Sequence, residues 1–388
     1  VIIEKYLKKN LVYSIYIYIN PILLTMSASN NSQKITDSKV HEGEKSNVKN
    51  FNKFDQHYFN SYSHYSIHQE MLQDSVRTKS YLDAIVNNKD YFKDKVVMDI
   101  GTGSGILSMF ISKYTDCKHI IAIDASPVIY MAEKIYKKNN LDESKISYVK
   151  MKVEDIETLP NGIEKVDIIV SEWMGYFLIY ESMLNSVLYA RDRWMDSTGS
   201  LFPDKCSMHV AAMRDIDYFS DNIHFWDNVY GFDFTDFKPL VEVEPIVDYY
   251  NGDSVISDTG NLIEFDLNTV TVEELTFERP FEVTMKQDNN SFNGLLTWFD
   301  IVFPQHDSNK KQVTFSTGPF TQYTHWKQVG FYFDEEIECN YNDTLKGVLS
   351  CKPNKENVRD MDIKIDYEFV PISEETDAKS GSKSYTLH

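Results

Sequence analysis

From Lys95 onward, short apolar runs alternate with stretches in which apolar residues recur at helical spacing. The runs, each expected to form a buried strand, are 95–100, 119–123, 146–151 and 166–170. The first run ends in Gly101-Thr102-Gly103-Ser104-Gly105, which leads into an apolar helical face from Ile106 to Ile111. Alternating strands and helices are typical of a parallel sheet. The pattern therefore predicts a Rossmann-like α/β domain.

After Phe202-Pro203 the pattern changes to shorter extended runs that are separated by turns. These runs are 207–213, 278–285, 294–303, 330–333 and 362–369. They predict an antiparallel β domain. Residues 215–238 interrupt this domain early with many aromatic and Asp residues. This segment is either a cap on the β domain or a protruding contact arm.

The glycines at 101, 103 and 105 predict a ligand that approaches the backbone closely, next to unpaired N–H groups of a helix N-terminus. A dinucleotide site would have the spacing G-x-G-x-x-G, so this spacing favours a nucleoside without a pyrophosphate. Asp124 follows the next strand. Its separation from Gly101 along the chain is close to the roughly 20 residues expected of a ribose-binding acid. Glu154 follows the third strand and is suitably placed to meet an adenine.

Glu172 and Glu181 bracket an apolar and aromatic segment that contains one glycine, Gly175. Such a segment can fold back as a loop and present both acids to one partly desolvated point. A pair of carboxylates is best suited to hold a guanidinium, whose donors match their acceptor geometry. The alternative is two solvated glutamates on a surface turn.

Three motifs together resemble those of the type I protein arginine methyltransferases. Segment 99–107 resembles their adenosylmethionine motif, segments 171–176 and 180–184 resemble their double-E loop, and segment 323–328 resembles their T-H-W loop. The match is close to the predominant type I enzyme of the family. It extends from about residue 51 to the C-terminus in the expected order, and three independent motifs make it specific.

Two residues depart from the family pattern. Asp124 replaces the usual Glu, and Phe177 stands in the double-E loop where a smaller residue is common. Neither change removes a required charge, although the shorter Asp124 implies a looser or water-bridged contact with the ribose. The resemblance implies a Rossmann-like adenosylmethionine-dependent domain followed by an antiparallel β-barrel domain. It also implies that the segment at about 215–238 is an inserted dimerisation arm.

The resemblance further implies a set of site residues and no metal. The catalytic residues it implies are Glu172, Glu181 and His325. The residues it implies for binding S-adenosyl-L-methionine are His68, Arg77, Asp99, Gly101, Gly103, Asp124 and Glu154. Arg77 is expected to pair with the methionine carboxylate. The substrate-binding residues it implies are Tyr62, Met71, Met183 and Trp326, and a helix around Tyr58 to Tyr62 is expected to close over the cofactor.

The implied activity is methylation of protein arginines to monomethyl and asymmetric dimethylarginine. The expected substrates are Arg-rich proteins, including histone tails and Arg/Gly-rich RNA-binding proteins. The chain is expected to form a homodimer or a higher assembly and to act in the nucleus and cytoplasm. His325, coupled to Asp74, is the candidate acceptor for the proton released late in transfer. A structural His325 that locks the N-terminal helix is an equal alternative, and Glu181 is a second candidate acceptor.

The net charge of −20 argues against nonspecific nucleic-acid binding, which depends on basic contacts to phosphates. It favours Arg-rich partners, although solubility alone would also explain it. The four cysteines are scattered without metal-ligand spacing, which favours a reducing compartment and no structural zinc. With 388 residues and 42% hydrophobic content, the chain is large enough for two sizeable cores.

Competing functional classes are less consistent with this sequence. A methyltransferase that acts on the amino groups of DNA or RNA bases would usually have a Pro-Pro-aromatic loop after the fourth strand, where this chain has Ser-Glu-Trp-Met. A nicotinamide dehydrogenase would need the longer glycine spacing. Two alternatives remain, a noncatalytic scaffold on the same fold and a methyltransferase with another acceptor. A scaffold is expected to lose one of the two glutamates or the loop glycines, and this chain retains all of them.

The first fifty residues predict a disordered leader and tail. Basic residues before the apolar run 11–19 resemble a signal peptide, but no small-residue cleavage pattern follows, and the run is too short to span a membrane. The first methionine, Met26, begins a segment typical of a cytosolic start, and residues 27–50 have a disordered composition. We therefore divide the chain into 1–50, a cofactor domain at 51–203 and a substrate domain at 204–388.

Overall fold

The structure, a computed structural model, describes residues 53–374 and 377–388. The predicted leader and tail at 1–50 lie outside the described residues. Three helices open the described chain, namely α1 (Lys53–Ser61), α2 (Tyr65–Gln73) and α3 (Ser75–Asn87). Asp74 caps α3, since its carboxylate accepts the backbone N–H of Arg77 at 3.0 Å.

A five-stranded parallel sheet follows, in the order β3-β2-β1-β4-β5. Its strands are β1 (Val96–Ile100), β2 (His119–Ile123), β3 (Ile146–Val149), β4 (Val166–Ser171) and β5 (Met195–Phe202). The helices that connect them are α4 (Ile106–Tyr114), α5 (Ile129–Lys138) and α6 (Met183–Trp194). Strands β1 and β2 are buried along their whole length, as expected for a parallel sheet.

The register of this sheet places the sequence motifs at one edge. Ile100 at the end of β1 pairs with Ile123 of β2 and with Ser171 of β4. The residues that follow these three strand ends, which include Gly101, Asp124 and Glu172, therefore emerge side by side. A crevice outside the carboxyl ends of parallel strands is the usual ligand site of such sheets.

The second half of the chain forms two antiparallel sheets. The first has the order β7-β12-β10-β6-β8 with β11 beside β10, and the second has the order β15-β14-β13-β9. The strands of the first sheet are β6 (Lys205–Met213), β7 (Ile246–Asp248), β8 (Gly260–Asp266), β10 (Asn290–Val302), β11 (Thr314–Ser316) and β12 (Gln328–Cys339). The strands of the second are β9 (Phe277–Thr284), β13 (Thr344–Pro353), β14 (Met361–Val370) and β15 (Lys379–Leu387).

The two antiparallel sheets adjoin where β9 contacts β8 and where β15 contacts β12. Phe292 of β10 packs against both Phe333 of β12 and Phe369 of β14, so one core lies between the two sheets. The predicted fold class, a Rossmann-like parallel sheet followed by an antiparallel β domain, is confirmed. The exact domain boundaries stay a prediction.

Residues 215–238, here called the arm, consist of short helical turns that lead into α7 (Lys238–Val241). At the root of the arm the Tyr218 ring stacks on Tyr332 with 3.6 Å between centroids, and the Tyr332 hydroxyl donates to Asp215 at 2.6 Å. Further along, the arm exposes Phe225, Tyr230, Phe232, Phe234 and Phe237. A firmly held root with exposed aromatic side chains beyond it favours a contact arm over a cap.

No helix within residues 53–374 and 377–388 is both long enough and apolar enough to cross a membrane.

Candidate active site

The glycine loop (residues 101–105) forms the floor of a pocket at the carboxyl edge of the parallel sheet. Gly101, Gly103 and Gly105 have φ values of 71°, 54° and 85°, a region that side chains with a Cβ rarely adopt. A Cβ at Gly101 would lie 2.8 Å from Cε of Met183, and one at Gly103 would lie 3.2 Å from Cε1 of His68. Met183 and His68 therefore close on the loop, and both line the pocket.

Asp124 lies beside the glycine loop and holds it in place. Its carboxylate accepts the backbone N–H of Gly103 at 2.8 Å and that of Ser126 at 2.7 Å, one on each oxygen. Burial raises the pKa of Asp124 to about 6, although both N–H donors act in the opposite direction. Each carboxylate oxygen has a second acceptor site. The side chain can therefore support the loop and also receive two ligand hydroxyls.

The double-E loop (residues 172–181) folds back on itself under backbone strain. Phe177, Leu178 and Glu181 have φ values of 51°, 62° and 73°. Each such residue costs about 1–3 kcal/mol and persists only where the surrounding structure holds it in place. Gly175 allows the close return, since a Cβ there would lie 2.3 Å from the carbonyl oxygen of Tyr180. Between the two glutamates the loop is anchored by the buried side chains of Trp173, Met174, Phe177, Leu178 and Ile179.

Phe177, which departs from the family pattern, is part of this anchor. Its ring packs edge-on against Phe331 of β12, with 5.4 Å between centroids. The larger side chain therefore fills space between the loop and the β domain rather than entering the pocket.

Glu172 forms a buried ion pair with Arg77. Nε and a terminal nitrogen of Arg77 lie 2.8 and 2.7 Å from the same Oε2 atom, and both side chains are 7% exposed. Arg77 also donates to the carbonyl oxygen of Met71 at 3.3 Å. Because both contacts use Oε2, a second guanidinium can approach Glu172 from its Oε1 side. Arg77 also lines the pocket.

Glu181 stands at the other end of the loop and faces two tyrosines. The Tyr62 hydroxyl donates to Oε2 of Glu181 at 2.8 Å. Burial raises the pKa of Glu181, while hydrogen bonds from Tyr62 and Tyr58 and the charge of Arg359 partly offset that effect. Glu172 and Glu181 line the same pocket. The structure thus brings the two acids together around one space, as the sequence predicts.

His325 reaches the pocket from the loop before β12. Its Nδ1 lies 2.7 Å from Oδ2 of Asp74, and its backbone N–H donates to the same oxygen at 2.9 Å. Burial acts to raise the pKa of Asp74, but its hydrogen bonds with His325 and with the Arg77 backbone outweigh burial and lower that pKa. Asp74 therefore ties His325 to the junction of α2 and α3, and the imidazole still lines the pocket. The contact is compatible with both roles considered for His325.

Comparisons with known proteins agree with this geometry. Residues 204–372 match the family described as the arginine methyltransferase oligomerization subdomain, and residues 77–184 match the ribosomal protein L11 methyltransferase family. Protein arginine N-methyltransferase 1 of Saccharomyces cerevisiae is 49% identical over 336 residues, which are 86% of this chain and 94% of the yeast protein. The Caenorhabditis elegans protein of the same name is 44% identical over 86% of this chain and 93% of its own length. The chain belongs to the protein arginine N-methyltransferase family.

Solved structures of arginine methyltransferases are similar as well. The Trypanosoma brucei PRMT1 enzyme-prozyme heterotetrameric complex with AdoHcy has a TM-score of 0.79 and 39% identity, over 84% of this chain and 100% of that chain. Arabidopsis thaliana protein arginine methyltransferase 10, solved in an open conformation, has a TM-score of 0.76 and 31% identity, over 85% of this chain and 100% of that chain. The resemblance inferred from three sequence motifs is thereby confirmed, together with the enzyme class.

Most residues that this arginine methyltransferase was predicted to use line the pocket described above. Met71 and Glu154 do so in addition to the residues described above, and Glu154 accepts a hydrogen bond from Ser186 at 2.5 Å. His68 is placed by its Nε2, which lies 2.8 Å from the carbonyl oxygen of Tyr62. Burial and the nearby charge of Arg77 lower the pKa of His68, although its contact with the Tyr62 carbonyl acts to raise it.

Asp99 and Trp326 are not among the described residues that line the pocket. The Asp99 carboxylate lies beneath the glycine loop, where it accepts the backbone N–H and hydroxyl of Ser108 at 3.2 and 2.6 Å. Trp326 is 2% exposed and donates from Nε1 to the carbonyl oxygen of Met174 at 2.8 Å. In this geometry Asp99 ties the end of β1 to α4, on either side of the loop that would carry the cofactor. Trp326 supports the double-E loop.

Two pocket residues were not predicted from the sequence to lie near Glu181. Tyr58 was expected only in the helix that closes over the cofactor, yet its ring lies 4.9 Å from that of Tyr62, which donates to Glu181. Arg359 was not considered, although its side chain donates to the backbone carbonyl of Glu181 at 2.6 Å. The two residues of that pair are 178 positions apart, and no local pattern marks the arginine. Only the folded β domain reveals the contact.

The ranges 53–374 and 377–388 contain no group of three or more His, Cys, Asp or Glu residues that could hold a metal ion. The pocket offers acidic and basic side chains, tyrosine hydroxyls and apolar side chains such as those of Met71 and Met183.

Proposed function

We propose that this chain transfers methyl groups from S-adenosyl-L-methionine to guanidino nitrogens of protein arginines, giving monomethyl and then asymmetric dimethylarginine. One observation carries the proposal. Two carboxylates, Glu172 and Glu181, line the same pocket as a glycine loop with an acidic neighbour. A pocket with this donor and acceptor set suits a cationic planar acceptor beside a nucleoside.

The pocket residues fit the proposed cofactor. Gly101 and Gly103 let the ligand approach the backbone where a Cβ would collide with Met183 or His68. Asp124 retains acceptor sites for the two ribose hydroxyls. Arg77, whose Nε and one terminal nitrogen pair with Glu172, still has terminal N–H donors that can meet the methionine carboxylate. The complex with AdoHcy reported for the T. brucei relative supports this choice of ligand. When bound, S-adenosyl-L-methionine supplies an already activated methyl group.

The two glutamates prepare the acceptor. A guanidinium arrives protonated, since its pKa lies above about 12. Hydrogen bonds to Glu172 and Glu181 draw its positive charge toward the nitrogens they contact. The remaining nitrogen keeps more lone-pair character and faces the methyl group. Because the carboxylates are held in place before the reaction, they stabilise the transition state electrostatically without reorganisation.

The proton leaves the acceptor nitrogen only as the new N–C bond forms, because methylation makes that nitrogen acidic. His325 lies at the pocket with its Nδ1 against Asp74, which orients the imidazole. We propose His325 as the acceptor of this proton. Glu181 is the alternative, since its raised pKa brings it closer to neutral pH than an exposed glutamate.

We propose Arg-rich protein segments as substrates, among them histone tails and Arg/Gly-rich RNA-binding proteins, in the nucleus and cytoplasm. The net charge of −20 favours encounters with basic segments. We further propose a homodimer in which the arm of one copy docks on the cofactor domain of the other. Tyr130 and Met131 of α5, 56% and 53% exposed, offer an apolar surface there for the exposed aromatic residues of the arm.

Amino-acid analysis tests the proposed function. The protein is incubated with radiolabelled S-adenosyl-L-methionine and an Arg/Gly-rich peptide, and the product is hydrolysed. Labelled monomethylarginine followed by asymmetric dimethylarginine is expected. Label in symmetric dimethylarginine would refute the product type alone, whereas label only in other amino acids, or in none, would refute the proposed acceptor.

A further inference from the structure

Arg359 belongs to the loop of residues 354–360, which connects β13 to β14, and it lines the pocket although it comes from the β domain. Side chains of this loop fix its own conformation. Oδ1 of Asn354 accepts the backbone N–H of Glu356 at 2.8 Å, and Nδ2 of Asn357 donates to Asp360 at 2.8 Å. These hydrogen bonds hold the 354–360 loop in one conformation, so the loop can in turn hold the segments that it contacts.

The backbone of this loop holds the end of the double-E loop. The N–H of Glu181 donates to the carbonyl oxygen of Arg359 at 2.9 Å, and the hydroxyl of Ser182 donates to that of Val358 at 2.6 Å. Glu181 and Ser182 have φ values of 73° and 58°. Residues other than glycine keep such positive φ values only where the surrounding structure holds them in place. The 354–360 loop supplies part of that restraint.

The Arg359 guanidinium connects Glu181 to helix α1. One terminal nitrogen donates to the carbonyl oxygen of Glu181 at 2.6 Å, while the other terminal nitrogen and Nε lie 2.7 and 3.2 Å from Oδ1 of Asp55. The same group lies over the Tyr58 ring, 3.9 Å from its centroid. The Tyr58 ring lies 4.9 Å from that of Tyr62, whose hydroxyl donates to the Glu181 carboxylate at 2.8 Å. One planar cation thus contacts the Glu181 backbone and packs against the tyrosine pair that faces the Glu181 side chain.

We propose that Arg359 is a positioning residue that sets the Glu181 carboxylate for the substrate guanidinium and fastens α1 to the same point. This inference rests on the proposed function, in which Glu181 holds the acceptor. Lysine cannot replace Arg359 in this role, because an ammonium group is a point charge and cannot reach Glu181 and Asp55 in one plane. Asp55 is also paired with Lys152, another pocket residue, so it belongs mainly to the attachment of α1.

Four variants separate the two roles of Arg359. Arg359→Ala and Arg359→Lys remove the planar contacts, and Asp55→Asn weakens the attachment of α1 alone. Lys355→Ala is the matched control, because it removes one positive charge from an exposed position in the same loop. Three quantities are measured for each variant: single-turnover methyl transfer to an Arg/Gly peptide at saturating cofactor, the Kd of S-adenosylhomocysteine, and hydrogen exchange in a peptide that contains Glu181 and Ser182.

We expect both Arg359 variants to slow methyl transfer by about 10- to 100-fold, the range caused by small misplacements of a catalytic group. Hydrogen exchange around Glu181 should become faster in both. Asp55→Asn should raise the Kd of S-adenosylhomocysteine with little change in transfer at saturation, and Lys355→Ala should match the wild type in all three measurements.

The proposal would be overturned if Arg359→Lys transferred methyl groups and exchanged hydrogen at wild-type rates. It would also be overturned if Arg359→Lys and Asp55→Asn gave the same results in all three measurements. Absence of arginine methylation by the wild-type protein would instead refute the proposed function. In that case hydrogen exchange still decides whether Arg359 positions Glu181, since this measurement does not depend on activity.

Discussion

Glu181 has to carry a negative charge at a position where burial opposes charge. Burial raises its pKa, and the hydroxyls of Tyr62 and Tyr58 act in the opposite direction by donating hydrogen bonds to the ionised form. A carboxylate with a raised pKa becomes protonated at a higher pH than an exposed glutamate. As the pH falls through that value, Glu181 loses the charge that should hold the acceptor. Activity should therefore decline on the acid side before an ordinary glutamate would titrate.

Tyr62→Phe should move this acid decline to a higher pH. The substitution removes the 2.8 Å hydrogen bond that favours ionised Glu181, so the pKa of Glu181 should rise further. A shift of up to about 1 pH unit is expected from the usual strength of one such bond. The measurement is the pH profile of kcat/KM with an Arg/Gly peptide.

Tyr65→Phe is the control for Tyr62→Phe, because Tyr65 is 73% exposed and the chemical change is the same. Its pH profile should match the wild type. An acid limb that stays in place, or moves to a lower pH, in Tyr62→Phe would show that the Tyr62 hydroxyl does not stabilise ionised Glu181.

Individual residues differed in how far the sequence could place them. Gly101 and Asp124 follow directly from their strands, so a local pattern was enough to predict their position at the pocket. Asp99 and Trp326 belong to recognisable motifs, but motif membership does not say which way a side chain faces. Asp99 binds Ser108, and Trp326 binds the double-E loop.

The double-E loop depends on a close return of its own backbone. Gly175→Ala should disrupt it, because the added Cβ would lie 2.3 Å from the carbonyl oxygen of Tyr180, and backbone cannot move aside easily. The loop should shift to relieve this overpacking and so displace its glutamates. Because a misplacement of about 1 Å can slow a reaction by about 100-fold, we expect a fall in kcat of about tenfold or more. The Kd of S-adenosylhomocysteine should change little, since the glycine loop is untouched. Steady-state kinetics and calorimetry measure these quantities.

Gly162→Ala provides the comparison, since nothing lies within 4 Å of a Cβ at that position, although its φ of 70° adds a modest strain. Its kcat should stay close to the wild type. Equal losses of activity in the two variants, or full activity in Gly175→Ala, would contradict the importance of the close return.

Some elements were visible in the sequence and others were not. The buried strands β1, β2 and β4 are continuous apolar runs, so hydrophobic patterning predicted them. Strand β15 (KSGSKSYTL) has few apolar residues, and it forms because β14 pairs with it along its length. Strand β5 (MDSTGSLF) has polar residues and Gly199 in its middle, so it was also not predicted. Strand formation in such segments depends on their neighbours more than on their own residues.

In the complete molecule, the active site lies between the parallel sheet and the antiparallel β domain. The β domain supplies His325, Trp326 and Arg359, which contact Asp74, Met174 and Glu181 respectively. These contacts join distant parts of the sequence. Composition and motif order predicted which domains are present, but only the folded chain shows how one domain holds the catalytic loop of the other.

The arm should control the oligomeric state. Tyr230→Ser with Phe232→Ser removes two aromatic side chains that are 98% and 69% exposed, so the fold should tolerate both changes. We expect the wild type to sediment as a dimer or larger species and the double variant to sediment mainly as a monomer with reduced activity. Large exposed apolar patches usually mark an interface.

Ile372→Ser is the control for the arm, because Ile372 is 69% exposed but lies outside it. This variant should sediment like the wild type. A wild-type protein that is monomeric and fully active would show that the arm is not needed for assembly or catalysis.

The most direct test of the proposed chemistry is single-turnover methyl transfer by the wild type and by Glu172→Gln, with an Arg/Gly peptide and a matched Lys/Gly peptide. We predict that the wild type methylates only the arginine peptide. Glu172→Gln should be slower by about 100- to 1000-fold, as expected when one preorganised charge is lost from a transition state, while the Kd of S-adenosylhomocysteine stays within about threefold. Methylation of the lysine peptide, or near wild-type transfer by Glu172→Gln, would contradict a guanidinium held between Glu172 and Glu181.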